Sequence, residues 1–511
     1  MTFSSLICSV TRNIYLVLAR KSSGEVMRIF AKSPFLIFAL TCALGILHCK
    51  TESQDNTSQT VGLGLAVALQ NPYQRINANP DTIIIPNSNA TYQSPGRSYT
   101  PSCFGNAGNT SFHFYRKTVA SNNKKLLINF MGGGACWNND NCFGNNTTTF
   151  FNFLDTVPDL FVKVAFQGIL DADVSTNPLK NYDVLFIPYC TGDLHFGSKD
   201  VSGFYNDPNV ADASEPSFYS HRGHDNTLAV LKYIQTNYTQ VTDIVVAGQS
   251  AGGYGAILNY PHIRQMFKDT ATFPSVATVS LLADASNGAV VDNFYPDIVK
   301  TIWGGDANLP TWTGTISSTY LDSGGPASIQ NFLSQVTSKY STDKVGQYAA
   351  QFDSTQRWFF HVMGVIKSGA AYSDSSNFFG PGDSSEVSDS PNDSTNTPSN
   401  CNWAVNSKNA MQNTTGANYY YYIAPGDVHT ITTSNDMFTL TSQGKSFNTW
   451  LANVVTNTGT APEKVDCSLG SGSHPCTDTN YISNQYNNSL KRATSHQSFD
   501  LGQDLAQTCF P

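Results

Sequence analysis

Ser250 ends the apolar run Ile244-Val245-Val246-Ala247 and sits inside Gly248-Gln249-Ser250-Ala251-Gly252. The pattern G-x-S-x-G holds a serine on a sharp strand-to-helix turn, its hydroxyl lifted clear of a sheet edge. An ordinary tight turn would also use these glycines, which supply backbone angles other residues avoid. The surroundings must decide. A neutral hydroxyl is a poor nucleophile; it needs a base within reach, and the base needs an acid to fix its tautomer. His429, on a turn after Pro425-Gly426-Asp427-Val428, suits the base role, because an unperturbed imidazole titrates at ~6.5. Asp353 and Asp284 each end an apolar run downstream of Ser250 and are rivals for the acid. Backbone N–H groups must receive the oxyanion, each contributing ~3–4 kcal/mol. Ala251 offers one such group, and the glycine loop Gly132-Gly133-Gly134 offers others from Gly133 and Gly134. Glycine fits there because backbone must approach substrate with no Cβ in the way. A phosphate cradle is not indicated: no G-K-[ST] follows and no dinucleotide fingerprint is present.

These residues need a scaffold that brings distant segments together. Short apolar runs predict strands at 111–115, 125–130, 182–188, 243–247, 279–283, 347–352 and 418–423, and apolar spacing predicts helices at 226–238, 251–267, 355–366 and 447–455. Strands alternating with helices imply a mainly parallel sheet with helices on both faces. In such sheets chemistry gathers at the carboxyl ends of strands. Those ends carry the glycine loop, Asp193 with His195, Ser250, Asp284, Asp353 and His429. The chain order of nucleophile, acid and base is that of the α/β-hydrolase fold, and this is the expected class, with insertions. Residues 367–400 are dense in Ser, Asp, Asn, Pro and Gly and read as an inserted loop beside the site.

Of the 511 residues, the formal net charge of -8 and the absence of a basic stripe argue against a nucleic-acid partner. The N-terminus reads as a leader over 1–49, with Met27 the expected start: a basic stretch 27–32 precedes an apolar run 34–47, short for a membrane span. Cys49 after that run resembles a lipoprotein box, so membrane attachment through a lipidated Cys49 and plain secretion are both open; His48 departs from the usual small residue. Residues 50–100 read as a polar tether and irregular segment, and 101–511 as the catalytic domain, with a cysteine-containing tail from 458. Eight of the eleven cysteines lie beyond the leader, an even set that suggests disulfides in an exported chain. Cys136 with Cys142 and Cys467 with Cys476 are the expected local pairs. No C-x-x-C is present, which disfavours zinc.

Five ordered motifs carry a family resemblance: FMGGGACW at 130–137, PYCTGDLH at 188–195, GQSAGG at 248–253, FDSTQ at 352–356 and PGDVH at 425–429. Together they resemble the pectin acetylesterase/Notum family, closest to its bacterial branch, over roughly 100–455. The resemblance implies an α/β-hydrolase fold, extracellular carboxylesterase chemistry and no metal or cofactor. It implies Ser250 as nucleophile, His429 as base and Asp353 rather than Asp284 as acid, with the oxyanion loop at 132–134. Gly132, Trp137, Asp193, His195 and Asp284 are then candidate pocket or supporting residues. The family spans glycan deacetylation and removal of a fatty acyl group from a protein serine, so an acetyl ester on a small molecule or glycan is the first expectation and a longer acyl ester the second. The rival from another class is a surface binding protein on a hydrolase scaffold.

Overall fold

The computed structural model describes residues 72–467 apart from 89, 105–110, 120–123, 144–148, 151–161, 163–166, 203–217, 292, 311–327, 352, 368–399, 427 and 457–458. The leader, Cys49, the 367–400 insertion beyond its edges and the tail from 468 lie outside the described residues.

A nine-stranded sheet forms the centre. Its strands are β1 (Gln74–Asn77), β2 (His113–Lys117), β3 (Lys125–Phe130), β4 (Asp183–Ile187), β5 (Asp243–Gln249), β6 (Thr278–Asp284), β7 (Lys344–Ala350), β8 (Tyr419–Ala424) and β9 (Val465–Asp466). The spatial order is β1-β2-β4-β3-β5-β6-β7-β8-β9. Only β2 runs against the others, pairing antiparallel with β1 and β4. This order, with the serine turn after the fifth strand, is an α/β-hydrolase sheet, the expected class. Strands buried on both faces need continuous apolar runs rather than alternation. Val245 and Val246 of β5 and Leu281 and Leu282 of β6 are accordingly solvent-free, each contributing ~1.5–3 kcal/mol by burial.

Six helices of nine residues or more are described: α1 (Gly223–Asn237), α2 (Ala251–Phe267), α3 (Ser328–Lys339), α4 (Ser354–Lys367), α5 (Asn400–Asn413) and α6 (Phe447–Val455). Register shows that they cover both faces. Gly248 of β5, Ala283 of β6 and Gln347 of β7 lie side by side and share one face. A Cβ on Gly248 would come within 2.0 Å of Gly252 O, so that face carries α2. The next row holds Leu282 and Gly346, and a Cβ on Gly346 would press on Val454 and Trp450 of α6. With the parallel strands pointing one way, the segments after β3 to β8 all emerge at one edge.

The structure corrects some of these expectations and adds to others. The segment 50–100 is not irregular throughout: β1 joins the central sheet, and 81–83 pairs with 97–99 as a small hairpin. Tyr92, Ile83 and Ile85 are buried. Isolated apolar residues and strands of three or four residues carry too little periodicity to be read from sequence. α3 and α5 were not expected, and part of the tail returns as β9 beside β8. Among the cysteines, Cys136–Cys142 forms as expected. Cys103–Cys190 joins positions 87 residues apart, a pairing that spacing does not reveal. Cys467 is disulfide-bonded, and its expected partner Cys476 lies outside the described residues.

Candidate active site

Ser250 is the hinge between β5 and α2. Its backbone sits at φ 56°, ψ -124°, a region costly for any residue with a Cβ. Neighbouring contacts hold it there: Ser250 N–H donates to Asp284 O at 2.8 Å, and Ser250 O accepts from Gly253 N at 2.9 Å. The flanking glycines are needed for close approach. Besides the Gly248 contact, a Cβ on Gly252 would lie 2.1 Å from Phe130 O. β5, α2 and the end of β3 therefore meet more closely than any side chain allows, and the half-buried Ser250 sits at that junction.

The glycine loop touches the same point. A Cβ on Gly132 would stand 2.4 Å from Gln249 O and 3.0 Å from Ser250 Cβ. Gly134 has φ 81°, and a Cβ there would meet Thr149 O at 1.8 Å. The N–H groups on either side of the glycines are committed, Met131 to Ile187 O and Ala135 to Thr149 O. Ala251 is the first residue of α2, so its N–H has no acceptor within the helix. His195 buttresses the loop. Its Nε2–H donates to Met131 O at 2.8 Å, and burial pushes its imidazole down to about 4. Gln249, between Gly248 and Ser250, donates through Nε2 to Asn129 Oδ1 at 2.9 Å, tying the turn to β3.

Asp353 follows β7 and His429 follows β8. The His429 Nδ1 lies 2.9 Å from both Asp353 carboxylate oxygens. A carboxylate only accepts, so Nδ1 carries the proton and Nε2 is left as the basic nitrogen. Asp353 is fully buried, whereas the His429 side chain keeps 18% exposure. Asp353 also stands at the head of α4, where its Oδ1 accepts from Gln356 N at 2.9 Å. That is helix capping, which satisfies one of the free N–H groups of the helix's first turn. Gln356 Oε1 in turn accepts from Tyr254 OH at 3.2 Å, and Tyr254 OH accepts from Gly288 N at 3.2 Å. Tyr254 is one turn beyond Ser250 on α2, so this chain of bonds links the acid to the serine's helix. Sequence reasoning gave neither Gln356 nor Tyr254 a role; the cap spacing from Asp353 to Gln356 was the available signal for the first.

The remaining candidates separate. Asp284 does not bond His429; its Oδ2 accepts from Thr432 N at 2.7 Å and Thr432 Oγ1 at 2.5 Å. Asp193 is buried and serves backbone, accepting from His195 N, Gly197 N and Gly223 N. With Thr191 Oγ1 also donating to it at 2.5 Å, it anchors the start of α1. Trp137 is buried and meets Phe294 edge-on at 6.1 Å. Beside α2, an apolar recess lined by Leu194, Tyr254, Leu258, Val290, Phe294 and Ile329 encloses about 10 Å³, room for about one water. Among the described residues, no three of His, Cys, Asp and Glu gather in a way that could hold a metal ion.

Residues 102–311 match the pectinacetylesterase family. A palmitoleoyl-protein carboxylesterase NOTUM from Schmidtea mediterranea is 27% identical over 172 residues, which is 32% of this chain and 29% of that protein. The mouse (Mus musculus) protein of the same name is 25% identical over 189 residues, 37% of this chain and 34% of that protein. The alignments thus span about a third of these relatives' own length. The solved structure of the Wnt deacylase Notum from Drosophila aligns over 76% of this chain and 97% of that one, with 15% identity and a TM-score of 0.47. Residues 102–311 are thus similar to the pectinacetylesterase family, and about a third of the chain is similar to the NOTUM carboxylesterases.

Proposed function

We propose that this protein is an exported serine carboxylesterase that hydrolyses acyl esters, acetyl esters first, through an acyl-enzyme. Ser250 Oγ attacks the ester carbonyl carbon. His429 Nε2 takes the serine proton, and Asp353 orients the imidazole and stabilises the imidazolium. The Ala251 N–H and the Gly133–Gly134 backbone receive the oxyanion. As the C–O bond breaks, His429 returns the proton to the leaving alkoxide. Water, deprotonated by His429, then attacks the acyl carbon and frees Ser250. No cofactor enters these steps.

The observation that carries this reading is the buried Asp353 carboxylate 2.9 Å from His429 Nδ1, at the same sheet edge as the strained Ser250 turn. Support for an ester substrate comes from the family match. Support for an acetyl group comes from the name of the matched family, pectinacetylesterase. A long-chain acyl-protein ester is the second reading, favoured by the activity named for the Schmidtea and mouse relatives. Buried disulfides fit an oxidising compartment, and secretion or a surface lipoprotein both satisfy that. A fluorophosphonate probe should label the folded protein and fail to label Ser250→Ala. Equal labelling of the two, or none in folded protein, would leave a binding role on a hydrolase scaffold.

A further inference from the structure

We propose that His195 is a positioning residue for the oxyanion site: it fixes the spacing between the glycine loop and the first turn of α2, the two sources of oxyanion donors. The proposal rests on the reading of Ser250 as the nucleophile.

Three glycines in a row have wide backbone freedom, so donors at Gly133 and Gly134 are aimed only if both ends of the run are held. Thr149 holds the downstream end twice. Its peptide oxygen takes the Ala135 N–H at 3.2 Å, and its hydroxyl donates to Ala135 O at 2.7 Å. The upstream end is Met131. Its N–H donates to Ile187 O at 3.0 Å, and its carbonyl accepts from His195 Nε2–H at 2.8 Å. The peptide joining Met131 to Gly132 is planar, so a fixed Met131 O fixes the plane from which the glycine run sets out. Gly132 then lies against the nucleophile turn, where a Cβ would stand 3.0 Å from Ser250 Cβ.

The same residue is fastened to α2. His195 O accepts from Asn259 Nδ2 at 2.9 Å. Its side chain rests on Gly255, where a Cβ would come within 2.8 Å of His195 Cβ and Cδ2. Gly255 follows Ala251 by about one turn of the helix. His195 therefore touches both halves of the oxyanion site, the loop through Nε2 and the helix through its backbone and ring. Packing alone does not explain a histidine here. The ring lies 4.5 Å from Tyr189 and edge-on to Phe130 at 5.2 Å, surroundings that would suit a leucine or phenylalanine. Burial keeps the imidazole neutral at working pH, and its backbone sits at φ 58°, a region uncommon for residues with a Cβ. A neutral ring carries one N–H, and here that N–H goes to the glycine loop.

The test uses the full-length protein and p-nitrophenyl acetate, with each variant normalised to the active fraction that a fluorophosphonate probe labels. His195→Leu fills the site without a donor, whereas His195→Gln keeps a side-chain N–H for Met131 O. In His195→Leu, kcat per active site should fall by about 10- to 100-fold with KM unchanged, the scale of donors displaced rather than removed. A loss in kcat and kcat/KM alike marks an interaction made only in the transition state. His195→Gln should recover kcat to within about fivefold of wild type. Gly255→Ala keeps the imidazole but presses a methyl against it, and should lower kcat in the same way. Unchanged kcat in folded His195→Leu, a loss confined to KM, or equal losses in His195→Leu and His195→Gln would overturn the proposal. If His195→Leu does not fold, wild-type kcat in Gly255→Ala overturns it instead. Hydrolysis that needs Ser250 but ignores His195→Leu sinks this proposal alone. Equal hydrolysis by wild type and Ser250→Ala sinks the esterase reading and this proposal with it.

Discussion

Two aspartates end neighbouring strands, β6 and β7, and the chain alone ranks them as equals. Their contacts separate them: Asp353 bonds His429 Nδ1 with both oxygens, and Asp284 bonds Thr432. Asp353→Ala should lower kcat by about 10⁴-fold, the scale seen when a triad acid loses its charge. Asp284→Ala should cost at least tenfold less in a protein that melts at a similar temperature. The opposite ranking in steady-state kinetics would exchange their roles. Ser250 and His429 were legible because each combines a reactive side chain with local turn chemistry. Gln356, Tyr254 and Thr432 were not. Apart from the Asp353 cap on Gln356, their partners lie 34 to 148 residues away, and nothing next to them in sequence announces those partners.

Elements were legible where a strand or helix carries its own periodicity. β3 and α6 fall on the expected residues, 125–130 and 447–455, and α2 on 251–267. α3 has Ile329, Phe332, Leu333 and Val336 on one stripe, a readable helical signal that the sequence reading passed over. α5 follows the polar insertion and is rich in asparagine, a weak helix former, so tertiary packing of Trp403 and Met411 overrides propensity. The sharpest prediction at this scale concerns the junction of β3, β5 and α2. Gly252→Ala places a methyl 2.1 Å from Phe130 O, and backbone cannot swing aside as a flexible side chain can. Stability should fall by about 1–3 kcal/mol or more, and the Ser250 turn should shift away from the glycine loop. Denaturant unfolding together with esterase assay checks this. A Gly252→Ala protein of wild-type stability and activity would mean the junction is looser than described.

On the scale of the whole molecule, the mainly parallel sheet and the gathering of strand ends at one edge followed from alternation, while the spatial order of the strands and the chain's long-range fastenings did not. Cys103–Cys190 closes a loop of 87 residues and attaches the segment before β2 to the end of β4. Replacing both cysteines with alanine should lower unfolding free energy by about 2–5 kcal/mol, read as a lower denaturant midpoint. An unchanged midpoint would show that the two segments are held by packing alone. Acyl length belongs to this scale too, since the walls of a substrate pocket come from several segments of the chain. The first experiment is therefore hydrolysis of p-nitrophenyl esters from acetyl to palmitoyl by wild type and Ser250→Ala. Turnover should peak at acetyl, fall steeply with chain length, and drop by about 10⁶-fold in Ser250→Ala, the scale for loss of a triad serine. A peak at palmitoyl would contradict the short-chain assignment and favour an acyl-protein substrate. Hydrolysis that survives Ser250→Ala would contradict the serine-esterase mechanism itself.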